Sequence, residues 1–214
     1  MENNLSDYRK SYEKGSLSKA DVPEDPLDLF KGWFKLADES SQIDEVNAMS
    51  LATVGKDLIP KTRVVLLKSF DEDGFVFYSN YTSEKAQDLK ENPQCCISFF
   101  WPALEKQIII KGKVEKLNRE ASEKYFHSRP RGSQLGALVS NQSSVVDSRK
   151  YLENKLHDLE MQYVDKEIPM PNDWGGYVIS PLSYEFWQGR ENRLHDRLRF
   201  SKAEKNWIVE RLAP

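Results

Sequence analysis

The sequence predicts a mainly β protein with helices, an α+β chain whose antiparallel strands form a small barrel with the helices packed outside. Three observations carry this reading. Short β-rich runs follow one another in hairpin order through the first half, with turn signals between them. Helical periodicity is confined to one early segment and the middle of the chain. No βαβ alternation occurs, which argues against a doubly wound parallel sheet.

The elements follow in order. Residues 1–20 are polar and read as a mobile N-terminal segment, leaving 21–214 as one domain. Asp25-Pro26 opens an amphipathic helix, with Leu27, Leu29, Phe30, Trp33, Phe34 and Leu36 near helical spacing. Strands are predicted at Met49–Val54, Lys61–Phe70 and Phe75–Tyr78, joined by Gly55-Lys56-Asp57 and Asp71-Glu72-Asp73-Gly74. Ser83 caps a helix that Asn92-Pro93 ends, and strands return at Cys95–Trp101 and Lys106–Leu117. Helices are expected at Arg119–His127, at Ser133–Val139 after a break at Pro130, and from Asp147 to about Val164. Strands at Gly176–Ser180, Tyr184–Gln188, Leu194–Phe200 and Trp207–Arg211 complete the chain.

Composition narrows the function classes. A chain of 214 residues buries about 70% of its unfolded surface, so it folds without disulfides. The adjacent Cys95 and Cys96 suit packing in a reducing cytoplasm better than a bridge. No apolar run approaches the ~18 residues of a membrane span, and the polar N-terminus lacks a signal core. With 31 basic against 34 acidic side chains the net charge is −3, which disfavours broad attraction to nucleic acid or anionic membrane. Any basic site must therefore be local. Dinucleotide, P-loop, HExxH and GxSxG motifs are absent, and His127, His157 and His195 do not make a metal set.

Four local clusters remain. In Arg63-Val-Val-Leu-Leu-Lys68 four aliphatics suggest a central strand buried on both faces, with cations at its ends about 16 Å apart. These cations either reach solvent or touch a long anionic ligand. Tyr78-Ser-Asn-Tyr-Thr-Ser-Glu-Lys85 leads a strand into a helix N-terminus, where a lysine is unfavourable unless an anion is present; a plain Ser83 cap is the simpler alternative. Tyr125 and Arg129 share a helix face before Pro130, and Ser133 can cap the next helix. That makes either a phosphate site or an ordinary helix connection, with Asn141-Gln-Ser-Ser144 offering amides and hydroxyls just downstream. In the fourth, alternation places Arg193, His195, Arg197 and Arg199 on one strand face, near Trp187. They either guard an exposed edge or lie beneath an anionic or aromatic ligand.

Taken together, Arg63–Lys68, Tyr125-Phe-His-Ser-Arg129-Pro-Arg131, Gln142-Ser143 and Trp187-Gln-Gly…Arg193-Leu-His-Asp-Arg197 closely resemble the pyridoxine (pyridoxamine) 5′-phosphate oxidase family, from about Tyr8 to Pro214. The resemblance implies an FMN-binding split barrel working as a homodimer, with FMN at the subunit interface. It implies oxidation of pyridoxine or pyridoxamine 5′-phosphate to pyridoxal 5′-phosphate by O2, with H2O2 and, from the amine, NH3 as products. It places Arg63, Val64, Val65, Leu66, Leu67, Lys68, Tyr78, Ser79, Lys85, Gln107, Gln142, Ser143, Trp187 and Arg197 on FMN. Lys68, Tyr125, Arg129 and Ser133 match the substrate phosphate site; Arg193, Leu194 and His195 match the substrate ring, with Arg193 and His195 catalytic. Arg9 and Tyr12 match a segment that closes over the substrate. One departure is Glu84, where many members carry a basic residue. It either faces solvent or weakens FMN binding. Alternatives are a non-catalytic FMN or pyridoxal phosphate carrier, another split-barrel flavin oxidoreductase, or a barrel binding single-stranded nucleic acid.

Overall fold

The computed structural model describes residues 4–204 and 206–214. In chain order they form α1 (Pro26–Asp38), β1 (Ala48–Val54), β2 (Pro60–Leu66), β3 (Ser69–Phe70), β4 (Phe75–Asn80), α2 (Glu84–Glu91), β5 (Gln94–Trp101) and β6 (Lys106–Lys116). Then follow α3 (Arg119–Ser128), α4 (Arg131–Val139), α5 (Arg149–Gln162), β7 (Trp174–Gln188), β8 (Asp196–Ala203) and β9 (Asn206–Leu212). The strands hydrogen-bond in the order β2-β1-β5-β6-β7-β4-β3, with β8 on β7 and β9 on β8. The β3–β4, β4–β7, β7–β8 and β8–β9 ladders are antiparallel, as the α+β reading expects.

Two compact units divide the chain. One holds the residues up to Ser50, Cys96–Lys111 and Pro181–Pro214. Its α1 starts because Asp25 accepts from the Leu27 N–H and Pro26 presets the first turn. That helix buries Phe30 against Phe99 at 5.4 Å and Trp33 against Phe186 at 5.2 Å. Phe186 in turn meets Phe200 at 5.7 Å, in edge-to-face contacts that aromatic quadrupoles favour. Part of the N-terminal segment is pinned in this unit. The Glu13 and Lys14 N–H groups donate to the buried Glu105 carboxylate at 2.8 and 2.9 Å, and Leu17 N–H donates to Asp196.

The other unit holds Leu51–Cys95 and Gly112–Ser180. Its β3–β4 turn closes at Gly74, where φ is +142° and a side chain would meet the Ile179 backbone. Phe126, Leu135, Ile168, Met170 and Trp174 form a core beneath α3 and α4, with Leu156 and Leu159 of α5 packed against it.

Three expectations need correction. The run Lys61–Phe70 is two strands, and β2 is an edge strand with Val64 67% exposed, not a central strand buried on both faces. Its aliphatics have a neighbouring strand on one side only. The two strands expected at Gly176–Ser180 and Tyr184–Gln188 are one, β7; Pro181 falls between its β4 and β8 ladders, where a missing N–H breaks neither pairing. The last cationic strand begins at Asp196, because Asn192 and Arg193 adopt φ of 55° and 64° in a 3-10 turn. Arg193 and His195 thus leave the strand. Arg197 and Arg199 stay on it, each paired with a carboxylate, Glu185 at 2.7 Å and Glu210 at 2.8 Å.

Candidate active site

A cleft of about 860 Å³ opens in the second unit, between β2, β4, α2, α3, α4 and the loop after α4. Arg63 to Leu66, Lys68, Tyr78, Ser79, Lys85, Tyr125, Arg129, Ser133, Gln142 and Ser143 all line it. Leu67 is buried at 3% exposure and lies outside the lining. The first three clusters of the sequence therefore converge.

Two cations mark one region of the cleft. Lys85 is buried in the first turn of α2, its Nζ donating to Gln142 Oε1 at 2.6 Å and to Ser79 and Ser83 Oγ at 3.3 Å. Desolvation, then the charge of Arg63, pushes its pKa down to about 8 against a smaller opposing pull from Glu84. Ser83 holds the N-cap position but does not cap. Its hydroxyl donates to the Asn80 carbonyl at 2.8 Å instead. Arg63 is fixed through Nη1, which donates to Thr53 Oγ1 at 2.6 Å and to the Leu51 and Lys61 carbonyls. The Thr53 hydroxyl is itself committed to the buried Asp88 at 2.8 Å.

Arg129 marks the other region. Its guanidinium lies 4.7 Å from the Trp174 ring centroid, and its buried Nη1 has no hydrogen-bond partner. Burial lowers its pKa, with Tyr125 opposing. A buried unpaired donor of this kind is costly unless a ligand satisfies it. Tyr125 stacks on Tyr78 at 3.8 Å, and burial raises the pKa of both hydroxyls, which keeps them protonated donors. Ser133 does not cap α4 as expected. The helix starts at Arg131, and Ser133 sits in its first turn with its N–H on the Pro130 carbonyl.

The remaining candidates lie in the first unit. Trp187, His195 and Tyr12 form an aromatic cluster with centroids 4.7 to 5.7 Å apart. The Arg190 N–H donates to His195 Nδ1 at 3.1 Å, so the proton of the neutral ring sits on Nε2. Arg193 is in the turn just before, and Leu194 is 69% exposed. Arg9 Nε donates to the Ser6 carbonyl within its own segment. Arg197 is held by Glu185 and the Ala213 carbonyl, and Gln107 is half-buried on β6.

Four contributors were not singled out from the sequence. Trp174 walls the cleft behind Tyr78 and Arg129; its signal was a Trp followed by Gly175-Gly176 at a strand start. Asp88 and Thr53 position Arg63 across three separate elements, and no local motif marks them. Glu105 has a φ of 56° and anchors the N-terminal segment.

The donor set fits FMN. A dianionic phosphate matches Lys85 and Arg63 with the Ser79, Gln142 and Ser143 polar groups, and the second cation region remains for a further anion.

Comparison with known proteins agrees. The family described as pyridoxamine 5′-phosphate oxidase matches residues 38–163, and its pyridoxine 5′-phosphate oxidase C-terminal dimerisation region matches 174–214, which indicates a homodimer. The pyridoxine/pyridoxamine 5′-phosphate oxidase of Christiangramia forsetii is 64% identical over 214 residues, all of both chains. That of Flavobacterium psychrophilum is 56% identical over 98% of this chain and 99% of its own. The solved structure of PhzG from Burkholderia lata, in complex with tetrahydrophenazine-1-carboxylic acid, shares 28% identity at a TM-score of 0.87 and covers 96% of this chain and 100% of its own. An FMN-binding protein of Nostoc punctiforme, at 16% identity and a TM-score of 0.68 over 86% of this chain and 97% of its own, shares the split-barrel fold. By its match over most of its length, this chain belongs to the pyridoxamine 5′-phosphate oxidase family.

Proposed function

We propose that this protein oxidises pyridoxine 5′-phosphate and pyridoxamine 5′-phosphate to pyridoxal 5′-phosphate in the cytoplasm, with O2 as the electron acceptor. The products are H2O2 and, from the amine, ammonia. The observation that carries this reading is the unpaired, buried Nη1 of Arg129, in a cleft it lines with Tyr125 and Ser133 and that holds a separate cation pair at Lys85 and Arg63. One cation region suits the cofactor phosphate and the other the substrate phosphate.

FMN, when bound, supplies the redox chemistry of the reaction. Lys85, Arg63, Ser79, Gln142 and Ser143 hold its phosphate, while Trp187, Arg197 and Gln107 serve it elsewhere. Lys68, Tyr125, Arg129 and Ser133 anchor the substrate phosphate, which fixes the position of the carbon to be oxidised. Arg193, Leu194 and His195 act on the substrate ring. With Nδ1 occupied by the Arg190 N–H, His195 works as a donor through Nε2. Exposed Val64 on the edge strand beside the cleft suits a cofactor site completed by the second protomer of the homodimer. The N-terminal segment 1–20, whose first three residues lie outside the described ones, carries Arg9 and Tyr12 and serves as the cover over the substrate.

The test is anaerobic mixing of FMN-loaded protein with pyridoxine 5′-phosphate. Bleaching of the flavin, followed by peroxide on admitting air, is the expected result. Bound flavin that never bleaches would favour a carrier. Equal turnover of unphosphorylated pyridoxine would remove the role given to Arg129.

A further inference from the structure

Glu84 stands among the cations of the cofactor region and lines the same cleft. Its two carboxylate oxygens lie 3.6 Å from Arg63 Nη2 and 3.9 Å from Lys61 Nζ, ion-pair distances beyond hydrogen-bond length. The carboxylate is 57% exposed. Its partners are unequal in their other commitments. Lys61 already has Asp57 at 2.9 Å and Asp88 at 3.0 Å. Arg63 has Nη1 committed to Thr53, Leu51 and Lys61, so its Nη2 is turned to Glu84. Glu84 thus neutralises, loosely and from the solvent side, the edge of the guanidinium that a phosphate in this cleft would take.

We propose that Glu84 is a resident counter-anion which the phosphate of FMN must displace from Arg63, and that it sets this chain's affinity for the phosphorylated flavin. The proposal rests on the FMN reading above. A dianion that engages Arg63 Nη2 and Lys85 Nζ brings like charge against the carboxylate. Both ion-pair partners of Glu84 are cations, so its effect is expected on ligands that carry a phosphate and not on the uncharged flavin ring.

The experiment titrates flavin-free protein with FMN and, separately, with riboflavin, which lacks the phosphate, following flavin fluorescence. Glu84→Gln keeps the shape and removes the charge. It is expected to tighten FMN binding about three- to tenfold at low salt and to leave riboflavin binding unchanged. Raising the salt narrows the difference between variant and wild type. Unchanged or weaker FMN binding by Glu84→Gln overturns the proposal, and weaker binding means that Glu84 instead organises Arg63 for its ligand. An equal gain for riboflavin also overturns it, since the effect would then be structural. Wild-type protein that is folded by circular dichroism and binds neither flavin would fail the FMN reading itself, a distinct outcome.

Discussion

Lys85 Nζ donates to Gln142 Oε1 at 2.6 Å, joining the first turn of α2 to a loop 57 residues further along the chain. Both groups are held by the fold before any ligand arrives. The ammonium is desolvated enough for its pKa to fall to about 8.

Phosphate binding should therefore depend on pH in a definite direction. An anion favours the charged lysine, so FMN affinity is full between the phosphate's second pKa, about 6, and about pH 8, and falls above that by up to tenfold per pH unit. Lys85→Gln should bind FMN weakly and lose this slope. For the flavin-free fold the sign is opposite. Between about 8 and the ordinary lysine value the unfolded chain binds more protons, so this group makes stability rise with pH there. Flavin titrations and denaturant melts across that range check both.

Arg129 trades stability for binding. Arg129→Met removes a buried unpaired donor while keeping apolar contact with Trp174. The ligand-free variant should melt at or above the wild-type temperature, yet lose about a hundredfold or more in kcat/KM for pyridoxine 5′-phosphate. A large drop in melting temperature with intact kcat/KM would contradict the assignment.

His195 should tolerate only a donor placed where Nε2 is. His195→Gln, whose amide reaches that position, is expected to keep at least tenfold more kcat than His195→Asn, whose amide reaches only the Nδ1 position. Equal loss in both, with FMN still bound, would remove the Nε2 donor role.

Glu105 should govern the N-terminal segment. Glu105→Ala removes the acceptor of two backbone N–H groups, so amide exchange at Glu13 and Lys14 should speed up by about tenfold or more. The global melting temperature should move by only a few degrees. Hydrogen-exchange mass spectrometry and protease cleavage near Gly15 report the difference.

Much of the site was legible because its parts are local. Tyr125 lies in the last turn of α3, but Arg129 is its extended C-cap and not on the helix face the spacing predicts, because Pro130 disfavours helical backbone at the residue before it. Arg193 to Arg199 read differently, since alternation assumes a strand and Asn192 and Arg193 adopt positive φ instead. Repulsion among these arginines did not require a ligand. Glu185 and Glu210 pair with Arg197 and Arg199 from neighbouring strands, through strand pairing that helix or strand periodicity along one segment does not show.

The sequence by itself determined most of the elements, the α+β class, the near balance of charge and, through its motifs, the family. Periodicity, turn chemistry and charge are properties of short segments, so they survive without a fold. Only the tertiary structure decided which cations stay unsatisfied. Arg199 is paired with Glu210 across strands, Lys85 is desolvated at a helix start, and Arg129 Nη1 is buried without an acceptor. Whether a charge is spent on the fold or kept for a ligand depends on neighbours brought together by folding.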